Sequence, residues 1–166
     1  MKKILIFGNS GSGKSTLAIK LCERHKLAHL DLDTLAWQNT SPAERKPLKE
    51  CENEIFSFIS MSKGWVIEGC YTDLLELVEH HSSEIIFIKL PMEECISNAK
   101  NRPWEPHKYE SKQAQDSNLD MLIGWISQYE SRVDTFSKNS HQNFYDHYMG
   151  TKKCIYSNEY SNSLLA

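Results

Sequence analysis

Gly8-Asn9-Ser10-Gly11-Ser12-Gly13-Lys14-Ser15 fills every defined position of the pattern G-x-x-x-x-G-K-[ST]. Glycine costs backbone entropy and weakens regular structure. Three glycines within six residues therefore point to a main chain that must itself touch something. The chemistry that fits is phosphate binding. Backbone N–H groups of such a loop converge on an anion, and a helix starting near Gly13 adds the positive end of its dipole. Lys14 is expected to reach the β- and γ-phosphates of a nucleotide, and Ser15 to place its hydroxyl on Mg²⁺. Gly8 through Thr16, that is Gly8, Asn9, Ser10, Gly11, Ser12, Gly13, Lys14, Ser15 and Thr16, form the candidate nucleotide loop.

Phosphate binding alone does not separate a kinase from a switch or a motor, so the acidic groups matter next. In HLDLDTLAW, Asp31 and Asp33 stand at the end of an apolar run. Period-two alternation would point both to one face. Paired carboxylates are costly unless they meet a cation or a hydroxyl. Asp31 is a candidate to hold Mg²⁺ through water, and Asp33 to take the proton of an acceptor hydroxyl. In GWVIEGCY, Glu68 ends another apolar run and is a candidate for the metal's water shell. Gly69 behind it would let a ligand approach the backbone.

Transfer of a phosphoryl group needs cations on the migrating charge. The chain has four arginines, Arg24, Arg45, Arg102 and Arg132. Arg102, at the mouth of a polar loop, is the candidate for that role. Arg45 is a candidate for holding an acceptor phosphate or carboxylate bidentately. Arg132 can face inward or pair with Glu130 or Asp134, and Arg24 reads as surface. Trp37 is expected to wall an acceptor pocket, and Trp125 to lie in the core.

These residues must be positioned by alternating strands and helices. KILIF, LAHLDLD, GWVIEG, EIIFIKLP and KKCIYS read as strands. Helices are expected over KSTLAIKLCERH, 48–61, 74–78 and 92–100, and a long one from Leu119 to Phe136. The segment NRPWEPHKYESKQAQDSN reads as a mobile polar loop. Alternation of this kind implies a parallel sheet with helices on both faces, with ligands gathered at one strand edge.

Composition sets the outer bounds. A chain of 166 residues with 40% apolar and 25% charged residues fits one soluble domain. A net charge of −3 gives no basic excess for direct nucleic-acid binding. The longest apolar stretches are far short of a membrane span, and MKKILIF stops at Gly8 without a cleavage site. Five cysteines, odd in number and without a C-x-x-C pair, indicate a reducing cytoplasm. Histidines show no ligand spacing.

IFGNSGSGKSTLA, HLDLDTLAW and WVIEGCYTD, in this order and at these separations, resemble the small P-loop kinase-like proteins known as topology modulation proteins. These are relatives of adenylate kinase and shikimate kinase. The resemblance covers the first 75 residues well and the rest more loosely. It implies an α/β P-loop NTPase fold of the nucleoside-monophosphate-kinase type, with a five-stranded parallel sheet in the order 2-3-1-4-5. It implies one domain over 1–166, an acceptor-binding segment about 34–63 and a lid about 101–117. Asp33 would touch the acceptor hydroxyl, Arg102 would be a lid arginine, and Ser157 and Asn158 would pack the nucleotide base. EGCYT lacks the arginine of the adenylate kinase motif, and no triple-glycine stretch follows the third strand as in shikimate kinases.

The activity expected is transfer of the γ-phosphoryl group of ATP, with Mg²⁺, to a nucleotide or hydroxylated metabolite. The rival is a regulator that binds nucleotide with little or no catalysis. Partners are then nucleotide and a small acceptor, without nucleic acid or membrane, in a monomer or homodimer.

Overall fold

The computed structural model describes residues 1–166. Ile4, Leu5, Ile6 and Phe7 of strand β1 (Lys3–Gly8) are all buried. A strand apolar on both faces belongs inside a covered sheet. β1 accordingly sits at the centre, paired in parallel with β3 (Trp65–Gly69) on one side and β4 (Glu84–Ile88) on the other. β2 (Ala28–Asp31) adds to β3 and β5 (Thr151–Ile155) to β4, giving a five-stranded parallel sheet in the order 2-3-1-4-5.

Alternation sends Leu5, Phe7, Ile67 and Phe87 into one apolar layer, against α2 (Leu48–Met61), α3 (Thr72–Glu76) and α7 (Lys138–His147). Ile4, Ile6, Val66 and Ile86 face the other layer. That layer is covered by α1 (Lys14–His25), α4 (Met92–Lys100), α6 (Leu119–Ser127) and α8 (Asn162–Leu165). No helix is long and apolar enough to cross a membrane.

Two segments depart from the sequence-based expectation. The long helix from Leu119 to Phe136 stops at Ser127, and Val133 is 96% exposed. Asp134 accepts from the Phe136 N–H, and Ser137 caps a separate helix, α7, by accepting from the Ser140 N–H. Apolar spacing ran on across a turn that these two polar side chains impose. The polar loop after α4 also contains a helix, α5 (Lys112–Ser117), capped by Ser111. Gln115 of α5 is buried and fixes the preceding strip, donating to the Pro103 carbonyl at 3.0 Å and accepting from the Glu105 N–H at 2.8 Å.

α7 brings a titratable group into the core. His141 is fully buried between the Tyr129 hydroxyl at 2.7 Å and the Cys70 carbonyl at 2.9 Å. The Cys70 carbonyl can only accept, so Nε2 carries the proton and Nδ1 accepts from Tyr129. Burial lowers the imidazole from 6.5 to about 4, partly offset by the bond to Cys70. The unfolded chain therefore binds a proton that the folded chain refuses. Stability should be complete above about 6.5 and fall as pH drops towards 4, by about 2 kcal/mol between pH 7 and pH 5. Urea midpoints at those two pH values, for the natural chain and His141→Gln, measure this directly. Equal pH slopes in the two proteins would exclude it.

Candidate functional site

The carboxyl ends of β1, β2 and β3 open onto a cleft of about 950 Å³. Its walls include Ser10, Gly11, Gly13, Lys14, Ser15 and Thr16 from the glycine loop. After β1 the chain bends through Gly11 at φ 75° and Gly13 at φ 93°, a region that side chains disfavour. A Cβ at Gly11 would also lie 2.3 Å from the Cys95 carbonyl oxygen. Several carbonyls of the loop are held by protein donors. Asn9 accepts from the Ser12 N–H at 3.2 Å, Gly11 from the Asn98 amide at 2.8 Å, and Ser12 from the Asn158 amide at 2.9 Å. Meanwhile α1 starts at Lys14 with no side chain capping it, so the N–H groups of its first turn remain to be satisfied. Donors facing an anion and acceptors held elsewhere are what a phosphate cradle requires. Lys14 folds back onto the Asn9 carbonyl at 2.8 Å.

Ser15 donates its hydroxyl hydrogen to Glu68 at 2.7 Å. Glu68 is 1% exposed, lies between Ile6 and Asp31 in the sheet register, and has His29 Nε2 3.5 Å from its carboxylate. No group of three or more His, Cys, Asp or Glu is arranged to hold a metal unaided. A hydroxyl backed by a buried carboxylate, beside open loop amides, nevertheless fits a Mg²⁺ that shares its coordination with phosphate oxygens and water.

Asp31 and Asp33 come together differently from the alternation argument. β2 ends at Asp31, and residues 32–34 form a 3₁₀ turn in which Asp31 accepts from the Asp33 N–H at 2.9 Å. The pair is gripped by Lys108 from the segment between α4 and α5, whose ammonium lies 3.0 Å from Asp31 and 2.9 Å from Asp33. Burial raises Asp31, and the neighbouring Glu68 and Asp33 charges raise it further. Burial would raise Asp33 too, but the Lys108 charge and the Tyr71 hydroxyl outweigh it and hold this carboxyl below its usual range. The same two carboxylates overcome the desolvation of Lys108 and raise its ammonium.

Tyr71 donates to Asp33 at 2.5 Å and accepts from the Trp37 indole at 2.8 Å. Trp37, expected on the pocket wall, thus stands one layer behind Asp33 and off the cleft. Arg45, expected at an acceptor anion, also leaves the cleft. It pairs with Asp73 at 3.0 Å and lies over the Tyr71 and Phe136 rings. Gly69 meets no cavity, because a Cβ there would press on Leu32 at 2.9 Å and Tyr71 at 3.0 Å; it is a packing glycine. Ser157 is exposed and off the cleft wall, whereas Asn158 and Tyr160 line it beside Gly13. Arg102 lines the cleft and pairs with Glu105 at 3.1 Å. Arg132 pairs with Asp134 and stacks 3.5 Å over Trp125, which packs half-buried against the core. Sequence reading missed Tyr71 as the partner of Asp33, and Asn98 and Gln115 altogether. Tyr71 and Asn98 act across 38 and 87 residues, and Gln115 folds its own loop back over 10 to 12, contacts that no helix or strand periodicity encodes.

The sheet order and the glycine loop between β1 and α1 define a P-loop kinase fold. A sugar kinase from Janibacter sp. HTCC2649 superposes with a TM-score of 0.56 at 11% identity, over 99% of this chain and 90% of that one. Shikimate kinase from Bacteroides thetaiotaomicron gives 0.50 at 14% identity, over 99% and 92%. In sequence, the uncharacterized protein YqaC of Bacillus subtilis (strain 168) is 23% identical over 159 residues, 92% of this chain and 85% of that protein. No family model matches the chain.

Proposed function

We propose that the chain is a P-loop phosphotransferase that moves the γ-phosphoryl group of ATP to a small-molecule acceptor, a nucleotide or a hydroxylated metabolite. The observation that carries this reading is one cleft holding both the Ser15–Glu68 contact beside the glycine loop and the Asp31–Asp33 pair. Loop amides and Lys14 hold the β- and γ-phosphates. Ser15, backed by Glu68 and close to Asp31, would hold Mg²⁺, which neutralises phosphate charge when bound. Asp33 takes the acceptor's hydroxyl proton, and Arg102 closes over the transferring group. Asn158 borders the nucleotide, Thr34, the one residue of the expected acceptor segment 34–63 on the cleft wall, stands on the acceptor side, and 101–117 act as the lid of this single domain. The motifs IFGNSGSGKSTLA, HLDLDTLAW and WVIEGCYTD support reading the chain, as monomer or homodimer, as one of the topology modulation proteins. Five free cysteines support a reducing, cytoplasmic setting, and a net charge of −3 argues against nucleic acid as a partner.

Lys14→Met tests the nucleotide half. Mg-ATP should raise the melting temperature of the natural chain, by linkage. The variant should bind about a hundredfold more weakly, a loss of about 3 kcal/mol, and show no such rise at the same concentration. An unchanged affinity would remove Lys14 from the site.

One observation favours the rival reading, a nucleotide-binding regulator with little turnover. Arg102 is the sole arginine on the cleft wall, and Glu105 holds it. Tight Mg-ATP binding with flat turnover across acceptors supports that rival, and acceptor-stimulated turnover supports the kinase.

A further inference from the structure

Adopting the phosphotransferase reading, the charges of the acceptor end narrow what the acceptor can be. A bound phosphate or carboxylate is held bidentately by a free guanidinium fork, a geometry that the point charge of lysine does not reproduce. None is present. Arg102 is paired with Glu105 at 3.1 Å, and Arg45 is withdrawn behind Tyr71 onto Asp73 at 3.0 Å. The wall instead presents the carboxylates of Asp31, Asp33, Glu68 and Glu105. Three of these converge on one ammonium, that of Lys108, at 3.0 Å (Asp31), 2.9 Å (Asp33) and 3.6 Å (Glu105). Both Asp33 oxygens are occupied, one by Tyr71 and the other by Lys108. An acceptor hydroxyl that takes the Lys108 face of Asp33 displaces this ammonium. Glu105 then keeps Arg102 and His107 stays 3.8 Å from Asp31, but Asp31 and Asp33 lose their nearest countercharge. An acceptor that brings its own ammonium restores it.

We propose that the acceptor is a hydroxylated amine, of the amino-alcohol or amino-sugar class, and not a molecule carrying phosphate or carboxylate. Its ammonium takes the place of the Lys108 ammonium on Asp31, and its hydroxyl faces Asp33. The hydroxyl oxygen forms a bond to the γ-phosphorus, the bond from that phosphorus to the β,γ-bridging oxygen breaks, and ADP leaves with the electron pair. The hydroxyl proton goes to Asp33, and the amine stays protonated throughout.

The test is ATP consumption by the full chain with Mg²⁺ and a matched panel. Amino alcohols and amino sugars are each paired with their N-acetylated, uncharged counterparts. Nucleoside monophosphates and hydroxy acids supply the anionic arm. At least one amine should raise consumption tenfold or more over hydrolysis by water, its N-acetyl partner should lose at least tenfold in kcat/KM, and the anions should have no effect. Lys108→Met removes the competing ammonium, so KM for the active amine should fall about tenfold. Stimulation by a nucleoside monophosphate or hydroxy acid, equal turnover of an N-acetyl partner, no response to any amine, or a raised KM in Lys108→Met would each overturn the inference. Turnover of an anionic acceptor would do so while leaving the phosphotransferase reading intact. Absence of Mg-ATP binding by calorimetry would instead remove that reading itself.

Discussion

Asp33→Asn should lower acceptor-dependent turnover by about a thousandfold while leaving Mg-ATP affinity within about threefold of the natural chain. Asparagine keeps the shape and can still accept from Tyr71, but it gives up the Lys108 contact and cannot take a proton. The split between the two measurements identifies the group, because a change that merely disordered the cleft would weaken nucleotide binding as well. Steady-state kinetics with the active acceptor and calorimetry with Mg-ATP give both numbers. Turnover retained within tenfold would remove Asp33 from the chemistry. Tyr71→Phe sharpens the same point. It removes the hydrogen bond that, with the Lys108 charge, keeps the Asp33 carboxyl low against the effect of burial. The Asp33 carboxyl should therefore titrate higher, and the acid limb of the kcat profile should move to higher pH. An acid limb that stays in place would mean that Tyr71 does not tune Asp33.

Gly11→Ala should destabilise the chain by about 3 kcal/mol and abolish Mg-ATP binding at concentrations that saturate the natural protein. Two costs combine at this position. A φ of 75° is strained for a residue with a side chain, and the new Cβ would lie 2.3 Å from the Cys95 carbonyl oxygen, in backbone that has no flexible end to move aside. Relief requires shifting the loop from α4, which misaims the amides that face the phosphates. Gly124 is the internal contrast. It lies within α6, and an added methyl there would meet nothing within 4 Å, so Gly124→Ala should stabilise by about 0.5–1 kcal/mol. Urea denaturation of the two variants in parallel measures both signs. A Gly11→Ala chain as stable as the natural one would contradict the close approach of loop and helix.

The central strands and the glycine loop were legible because their signals are local. KILIF followed by three glycines and Lys-Ser needs no distant partner to be read, and Leu17, Leu21, Cys51 and Ile55 mark their helices by spacing alone. The region from Leu119 onward was not legible in the same way. Leu119, Leu122 and Ile126 keep helical spacing, and Phe136 continues it by coincidence, while the turn between them is set by Asp134 and Ser137 acting on backbone N–H groups. The acceptor end was readable only as residue types. Nothing in HLDLDTLAW indicates that Tyr71 will hold Asp33 or that Lys108 will bridge both aspartates, since those contacts span 38 and 75 residues. Arg45 was misread for the same reason. A lone arginine after the second strand looks available until Asp73 and the aromatic rings around it are in place.

Asn98 carries a consequence for how the two halves of the cleft communicate. Its amide nitrogen grips the Gly11 carbonyl at 2.8 Å and the Asn158 side-chain oxygen at 2.9 Å. It stands near the end of α4, four residues before Arg102. The end of α4, the glycine loop and the segment following β5 thus meet at a single carboxamide. A phosphate that tilts the Gly11 peptide on binding should therefore also shift the stem from which Arg102 and Lys108 extend.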